Sequence, residues 1–333
     1  MNPETASLPP TDPAQPLWHS GSGLKPIFVG PNGIRAGWRL LIFLAIYAVL
    51  GLVQTLIPSP LGHYQTGVAV LMPGPVAWDQ GLGFAFIIVA FAVMARIERR
   101  RISDYGLPLR WARGKNLWLG TLLGFLSVSG PLLVIFALRG FRITGLAIHG
   151  NTILTAMLAW AAACVIIGLC EESLFLGYPL FTLTTGIGFW PAAIVMSALF
   201  ALSHMSNPGE TPLGILSIVL FGLLLCFFVR RSGDLWIAVG FHTGYNWALQ
   251  FYGVHDSGFA PYHNLFNSQF SGPAWLTGGS VGPEASIFTP ITLVIVGILF
   301  SLRYREVRYR PEAAARRGEV DTSAQSLTGG TSP

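Results

Sequence analysis

"LCEESLFLGY", residues 169–178, places two adjacent carboxylates, Glu171 and Glu172, inside a long apolar run. An acidic residue at the centre of a membrane helix costs about 2.5–3.5 kcal/mol on insertion scales, so such residues usually face a cavity or a partner. Because successive residues on a helix are separated by about 100°, at least one of the two carboxylates must point towards the interior of a helix bundle. The stretch therefore predicts a membrane helix that carries functional groups.

The composition is that of a membrane protein. Hydrophobic residues make up 52% of the 333 residues and charged residues only 11%, whereas a soluble domain carries about 25% charged residues. The mean hydropathy is +0.57. The apolar runs are continuous and lack the alternation of barrel strands, which favours helices. We therefore predict an all-α fold, a polytopic membrane helix bundle with about eight transmembrane helices.

The windows that approach the roughly 20 apolar residues needed to cross a bilayer are spread along the chain. They lie at residues 37–57, 80–96, 117–138, 153–178, 190–205, 212–230, 234–252 and 286–302. The second and fifth windows are short. We find no internal repeat and no soluble domain, so the windows predict a single membrane domain.

The basic residues predict the orientation of this domain, because cytoplasmic loops carry an excess of Lys and Arg. With a cytoplasmic N-terminus, only Arg139 and Arg142 of the 20 Lys and Arg fall on the outer side. We therefore expect a multi-pass protein of the plasma membrane with both termini in the cytoplasm. The net charge of +5 is explained by this topology signal and by contact with anionic lipid, without a nucleic-acid partner.

The flanking and connecting segments differ in composition from the apolar windows. Residues 1–33 are rich in Pro, Gly and Ser and are predicted to be a flexible cytoplasmic arm. Residues 34–302 form the predicted transmembrane domain, and residues 303–333 a basic and then disordered cytoplasmic tail. The outer loop 253–285 either caps the outer face or is a solvated connection, and we favour the connection. Cys164, Cys170 and Cys226 all lie in apolar windows and are interpreted as packing residues.

Polar side chains recur inside the apolar windows. Glu171 and Glu172 lie in the fourth window, His204 ends the fifth, and His242 and Asn246 lie one helical turn apart in the seventh. A single buried histidine is usually a satisfied structural group, but a set of this kind in an apolar bundle indicates a functional site.

These residue types allow a specific chemistry. A glutamate in an apolar setting can act as general base on a water molecule, and a neutral histidine can orient that water. A histidine and an asparagine on one helix face can donate hydrogen bonds to a developing oxyanion. The set therefore suggests an amide hydrolase that needs no Ser or Cys nucleophile. Glutamate and histidine are also zinc ligands, so activation of the water by a carboxylate or by a metal remains open.

Three short motifs resemble those of the CPBP intramembrane proteases, also called the Abi family. They are "EESLFLG" at 171–177, "FALSH" at 200–204 and "HTGYN" at 242–246. The family includes CAAX-processing prenyl endopeptidases and bacterial bacteriocin-processing or immunity proteins. Its pattern is a Glu-Glu pair followed by an aromatic residue, an Arg and a Gly, then Phe-x-x-x-His, then His-x-x-x-Asn. The order agrees, and the resemblance covers roughly residues 150–250.

The resemblance implies roles for the matching positions. Glu171 resembles the glutamate that activates water, Glu172 its supporting neighbour, and His204 the histidine that shares the water. His242 and Asn246 resemble the pair that binds the oxyanion. The implied activity is an intramembrane endopeptidase acting on a peptide or protein substrate at the membrane. A mechanism of the glutamate type without a cofactor is favoured, and zinc held by Glu171, His204 and His242 is the alternative.

One position departs from the family pattern. Leu176 stands where the family has an Arg, at i+4 from Glu172. Either another group compensates, or Glu172 is protonated, or the site is altered. The departure favours a second hypothesis, a noncatalytic membrane scaffold or bacteriocin-immunity protein with the same fold. A proton-coupled transporter that uses the glutamate pair as a relay is less favoured, because paired broken helices at matching positions are not evident.

The depth of the motifs conflicts with the predicted spans. Glu171 is about 27 Å along the helix from the outer start of the fourth window, whereas His204 lies at the outer end of the fifth. The two residues can meet only if the fifth span is tilted or begins deeper, or if the fourth starts later than its hydropathy indicates.

Overall fold

The computed structural model describes residues 25–30, 33–58, 70–109, 112 and 114–309. Residues 1–24 of the predicted arm and residues 310–333 of the predicted tail lie outside the described residues. Within the predicted arm, β1 (Val29–Gly30) pairs antiparallel with β2 (Gly33–Ile34). Within the predicted tail, the backbone N–H groups of Arg308 and Tyr309 donate to the carbonyl of Arg230.

Helices dominate the described residues. They are α1 (Lys25–Phe28), α2 (Ala36–Gln54), α3 (Pro73–Glu98), α4 (Lys115–Ala137), α5 (Asn151–Phe175), α6 (Tyr178–Ile187), α7 (Phe189–His204), α8 (Pro212–Ser232), α9 (Trp236–Tyr252), α10 (Ala274–Thr277) and α11 (Phe288–Arg303). Each predicted window coincides with a helix, namely α2 to α5, α7 to α9, and α11. This confirms the prediction of a polytopic helical membrane protein.

The helices differ in their capacity to cross a bilayer. By length and composition, the segments long and apolar enough are α2, α3, α4, α8 and the continuous stretch Asn151–Ile187, which joins α5 and α6. The apolar helices α7 and α11 have 16 residues each, or about 24 Å, which is less than the hydrocarbon core of about 30 Å. α9 has 17 residues and is more polar. The motif-bearing helices α7 and α9 are therefore short.

Two antiparallel strands mark one end of the bundle. β3 (Phe141–Leu146) pairs with β4 (Phe266–Phe270), from Phe141 opposite Phe270 to Leu146 opposite Phe266, with an irregularity between Ile143 and Gly145. We call this end, where α4 and α9 finish and α5 begins, the sheet face. The opposite end, where Arg230 and Arg231 close α8, is the arginine face.

The segment 253–285 packs on the bundle and is not the solvated connection that we expected. Besides β4 and α10, it contains the 3-10 helix Pro283–Ala285. Val254 and Val281 are 2% and 1% exposed. The backbone N–H of Gly258 donates to the carbonyl of Val281. This segment therefore builds part of the protein interior at the sheet face.

Helices α4 and α9 approach each other closely because glycines face each other between them. The glycines occupy i and i+4 positions in "GTLLG" (120–124) and "GFHTG" (240–244). A methyl group on Gly244 would lie 1.9 Å from the backbone oxygen of Thr121, and one on Gly124 would lie 2.0 Å from that of Phe241. Small residues at this spacing let membrane helices pack backbone to backbone. The contact fixes the helix that carries His242.

Candidate active site

Helix α5 brings both glutamates against α9 near its own C-terminal end. The approach depends on Gly168, where a methyl group would lie 2.9 Å from the backbone oxygen of Val239. Oε1 of Glu172 lies 2.7 Å from Nδ1 of His242, and the side chain of Glu172 is only 2% exposed. Glu172 is thus a buried carboxylate whose partner comes from a different helix.

His242 lies between the two carboxylates. Its Nε2 is 3.9 Å from Oε2 of Glu171, whose side chain is 20% exposed. The imidazole is held edge-on by the rings of Phe221 and Phe200, at 5.2 and 6.2 Å between centroids. The adjacent glutamates therefore differ in environment, since Glu172 is enclosed behind the imidazole whereas Glu171 faces open space.

Leu176 ends α5 in a hydrophobic environment. It is 2% exposed, and its backbone N–H donates to the carbonyl of Glu172 at 2.8 Å. His242 is the partner of Glu172 in place of a cation at position 176. Of the three interpretations of the departure at Leu176, the geometry supports compensation by another group.

His204 is the last residue of α7 and is held by its own helix. Its Nδ1 lies 2.8 Å from the carbonyl oxygen of Phe200 and 3.2 Å from Oγ of Ser203. Because a carbonyl oxygen only accepts, the contact with Phe200 requires a proton on Nδ1. A neutral His204 therefore has an unprotonated Nε2 that can accept a hydrogen bond from water.

The conflict in depth between Glu171 and His204 is removed by the end of α5. The ring of Phe175, the last residue of α5, lies 5.1 Å from that of Phe200, which is about 16 Å along α7 from the start of that helix. α5 thus stops beside the middle of α7, and α6 continues the chain from there. His204 is one turn beyond Phe200, so both motifs reach the same level.

One cavity of about 440 Å³ joins the predicted residues. Such a volume lies in the range of small-molecule and peptide side-chain pockets, about 300–1,000 Å³. Its lining includes Glu171, His204, His242 and Asn246, together with aromatic and aliphatic walls. Asn246 is 8% exposed and follows His242 by one turn of α9. Glu172 does not line the cavity and contacts it through His242.

The matched region of the chain supplies more than half of the residues that line this cavity. Residues 152–248 match a family model described as Rce1-like, type II CAAX prenyl endopeptidase Rce1-like. We call this matched region the Rce1-like domain. The match confirms the resemblance to the CPBP and CAAX protease family. No curated protein matches the chain significantly.

The Rce1-like domain extends from α5 to α9 and contains all the predicted site residues: Glu171, Glu172, His204, His242 and Asn246. The domain match supports a membrane protease of the CAAX type. It assigns no role to an individual side chain, so the roles of these residues stay predictions.

Three carboxylates from outside the Rce1-like domain also line the cavity, those of Asp79, Asp256 and Glu284, and sequence reasoning missed all three. Asp256 accepts a hydrogen bond from Nε2 of Gln250 at 3.0 Å, and Glu284 accepts from the backbone N–H of Ser257. Burial, reinforced by the charges of neighbouring acids, raises the pKa of Asp256 and of Glu284 above their ordinary values. Neither residue lies in a periodic or motif-like pattern, so no local signal indicates its position at the cavity.

A zinc ion would need several His, Cys, Asp or Glu side chains around one point. Among the described residues, no group of three or more His, Cys, Asp and Glu side chains is placed to hold a metal. Nδ1 of His204 faces the carbonyl of Phe200, and Nδ1 of His242 faces Glu172. These contacts leave Nε2 of both imidazoles available to bind a metal, so the choice between glutamate and zinc chemistry, with Glu171, His204 and His242 as the alternative zinc ligands, stays a prediction.

Proposed function

We propose that the protein is an intramembrane endopeptidase of the glutamate type, which cuts a peptide bond of a membrane-associated or small peptide substrate. The observation that carries the proposal is the shared cavity of Glu171, His204, His242 and Asn246 inside an Rce1-like domain. A base, a group that orients water and two hydrogen-bond donors are the parts that peptide hydrolysis requires.

Glu171 activates the water. Its side chain is the partly exposed one of the pair, and its buried Oε2 has no hydrogen-bond partner among the described protein residues. It accepts a proton as the water oxygen bonds to the carbonyl carbon of the substrate. Nε2 of His204 accepts a hydrogen bond from the other O–H of the water and so orients the water. Protonated Glu171 then returns the proton to the amide nitrogen, and the C–N bond breaks to give a carboxylic acid and an amine. The acid then ionises to a carboxylate by passing its proton to the amine.

His242 and Asn246 stabilise the oxyanion of the tetrahedral intermediate. The carboxylate of Glu172 accepts from Nδ1 of His242, which allows the imidazole to carry a proton on Nε2 as well. Nε2–H and the side-chain amide of Asn246 then donate to the oxyanion. Glu172 is in this mechanism a positioning residue, because it acts on the substrate only through His242.

The test compares peptide termini in membranes from cells that express the wild type, Glu171→Ala at matched abundance, or no protein. The exposed Glu306 supplies a matched control, Glu306→Ala. We expect some termini to occur with the wild type and the control and to be absent with Glu171→Ala and in the deletion strain. Identical termini in every strain, together with rescue of a deletion phenotype by Glu171→Ala, would reject the protease.

The scaffold or immunity protein is the second candidate, and Leu176 is the observation that favours it. It predicts that Glu171→Ala, with the fold intact, keeps the biological phenotype. The contact between Glu172 and His242 favours the protease. Burying a carboxylate with an imidazole is costly, and a scaffold does not need such a pair beside a cavity.

We further propose that the arginine face and both termini are cytoplasmic, in a plasma membrane. The support is the distribution of Lys and Arg, since among the Lys and Arg that the structure describes only Arg139 and Arg142 lie towards the sheet face. Single cysteines at the exposed positions Asn267 and Arg305 test the orientation, because Cys164, Cys170 and Cys226 are buried. A membrane-impermeant maleimide should label the first variant in intact cells and the second only after lysis. The reverse pattern would overturn the orientation.

A further inference from the structure

The lining of the cavity is strongly acidic. Its carboxylates are Asp79, Glu171, Asp256 and Glu284, and none of the described residues that line it is Lys or Arg. Two of these acids, Asp256 and Glu284, belong to the segment that packs on the sheet face. The cavity therefore extends from the catalytic part near His242 to an acidic end formed by Asp256 and Glu284, which the proposed hydrolysis does not use.

The acidic end is built from several elements. Asp256 is 6% exposed and is fixed by Gln250 of α9. Glu284 belongs to the 3-10 helix before α11 and accepts from both the backbone N–H and the hydroxyl of Ser257. Gln250 is 0% exposed, and its Oε1 has no partner among the described residues. Gln250 itself does not line the cavity, so the acidic groups that line the cavity at this end are those of Asp256 and Glu284.

Carboxylates buried in this way are unfavourable in their charged form unless a proton or a cation neutralises them. Like charges that share a buried site repel each other, and a buried carboxylate is stabilised by a hydrogen-bonded positive group. The pKa of both Asp256 and Glu284 is raised chiefly by burial, and the charge of a neighbouring acid adds to the shift, that of Glu171 for Asp256 and that of Asp256 for Glu284. A guanidinium or ammonium group can donate to several of these acceptors at once.

We propose that Asp256 and Glu284 form a subsite for a cationic nitrogen of the substrate, either a Lys or Arg side chain or a free amino terminus. This inference rests on the proposed endopeptidase and names the class of its substrate. The aromatic walls formed by Phe175, Phe200 and Phe221 take apolar side chains next to the cleaved bond. The substrate is thus an apolar peptide with one positive charge at a defined distance from that bond.

The distance follows from α9. His242 and Gln250 lie on this helix, and their positions in the sequence place their Cα atoms about 12 Å apart along its axis. An extended peptide advances about 3.3 Å per residue. The cationic group should therefore lie about three or four residues from the bond that is cleaved.

The test uses the purified full-length protein in lipid nanodiscs and pools of apolar decapeptides. Each pool carries arginine, or its uncharged analogue citrulline, at one position, and each is prepared with a free and with an acetylated amino terminus. Cleavage is followed by mass spectrometry for the wild type, Asp256→Asn, Glu284→Gln, Glu171→Ala and the exposed control Glu306→Gln. Thermal stability of every variant is measured in the same nanodiscs.

For the wild type we expect kcat/KM to be about tenfold higher with arginine than with citrulline at one position, because a charged hydrogen bond is worth about 1.5–3 kcal/mol. The ratio should fall towards one in Asp256→Asn and Glu284→Gln and stay unchanged in Glu306→Gln. If the amino terminus is the recognised cation, acetylation lowers cleavage instead, with the same dependence on Asp256 and Glu284.

Three results would contradict these proposals, and they separate the subsite from the endopeptidase. Cleavage that requires Glu171 but shows no preference for arginine or for a free amino terminus overturns the cationic subsite and leaves the endopeptidase standing. A preference that persists in both folded neutral variants also overturns the subsite. Absence of any cleavage that depends on Glu171 overturns the endopeptidase, and the subsite with it.

Discussion

Nδ1 of His242 lies 2.7 Å from Oε1 of Glu172, and this contact joins α9 to α5 at the base of the cavity. Position 176, where the related motif carries an arginine, is a buried leucine. A carboxylate that is 2% exposed needs a hydrogen-bonded partner, and the imidazole supplies it. The same imidazole faces Glu171 through Nε2, so the pairing links the supporting glutamate to the group proposed to activate water.

This pairing predicts the effect of Glu172→Gln. The amide has the shape of the carboxylate but no charge, so it no longer favours a proton on both nitrogens of His242. The oxyanion then loses the Nε2–H donor, and loss of one such donor lowers kcat by about 10²–10³. We expect kcat to fall by about that factor while KM changes little, measured on a peptide whose terminus depends on the wild type.

Glu306→Gln is the control for Glu172→Gln, because Glu306 is an exposed glutamate whose carboxylate is 3.7 Å from Arg308. It should keep wild-type kinetics. If Glu172→Gln also lowers the unfolding temperature, the fall in kcat would point to a damaged fold. Full activity would show that Glu172 does not support His242.

Leu176→Arg restores the residue of the family pattern, and we expect it to lower activity. A guanidinium at this position would lie one turn from Glu172 and compete with His242 for its carboxylate. It would also introduce a charge where the side chain is 2% exposed, which is unfavourable unless the charge is fully paired. We expect at least a tenfold fall in kcat. Leu176→Met, which conserves the volume, is the control and should stay near wild-type activity.

An increase in kcat for Leu176→Arg would contradict this account. It would mean that the arginine pairs with Glu172 without displacing His242, and that Leu176 lowers the activity of the wild type. Thermal unfolding of both variants in nanodiscs separates a local effect on catalysis from a loss of stability.

The positions of the helices could be predicted because each long apolar run coincides with a helix. The break at Leu176 and Gly177 could not, because hydropathy stays high through the stretch Asn151–Ile187 and does not distinguish one helix from two. The apparent conflict with His204 came from treating α7 as a full span, whereas α7 has only 16 residues and ends at His204, one turn beyond the contact of Phe200 with Phe175 of α5. The "GTLLG" and "GFHTG" patterns were a readable signal for the α4–α9 contact and were missed.

The site also has a part that the sequence made predictable and a part that it did not. Glu171, His204, His242 and Asn246 lie in short motifs, so their residue types and order were visible. The pairing of Glu172 with His242 joins positions in different helices and depends on how α5 packs on α9, which no local pattern encodes. Asp256 and Glu284 lie in a long connecting segment, and only its folding against the sheet face brings them to the cavity.

The backbone contact between α4 and α9 predicts a large effect for Gly244→Ala. The added methyl group would lie 1.9 Å from the backbone oxygen of Thr121, and backbone atoms cannot move aside without separating the helices. Overpacking of this kind costs about 1–3 kcal/mol. We expect a lower unfolding temperature and reduced activity, because α9 also carries His242. The measurement is thermal unfolding of the purified protein in nanodiscs.

Gly51→Ala is the matched control for Gly244→Ala. Gly51 lies in α2, and a methyl group there meets nothing within 4 Å. Alanine in a helix interior is favoured over glycine by about 0.5–1 kcal/mol, so this variant should be as stable as the wild type or more so. A Gly244→Ala protein as stable as Gly51→Ala would refute the close packing of α4 and α9.

The acidic end of the cavity predicts how stability depends on pH. Burial first, and then the charge of Asp256, raises the pKa of Glu284 above its ordinary value of 4.5, with Glu210 adding to the shift and Ser257 opposing it. A carboxyl group with a raised pKa in the folded state contributes stability that is present below the unfolded pKa. That stability is lost as the pH rises through the folded pKa. The wild type should therefore unfold at a lower temperature at pH 8 than at pH 5.

Glu284→Gln removes one of the two buried carboxylates, so its unfolding temperature should fall less between pH 5 and pH 8 than that of the wild type. Asp256 keeps part of the dependence, since its pKa is raised by burial as well. The expected difference is a few degrees, because about 1 kcal/mol shifts the midpoint by roughly 2–4 °C in domains of 150–250 residues. Glu306→Gln should follow the wild type. A pH dependence that is the same in Glu284→Gln and the wild type would mean that Glu284 is not a buried acid, and the cationic subsite would lose its main support.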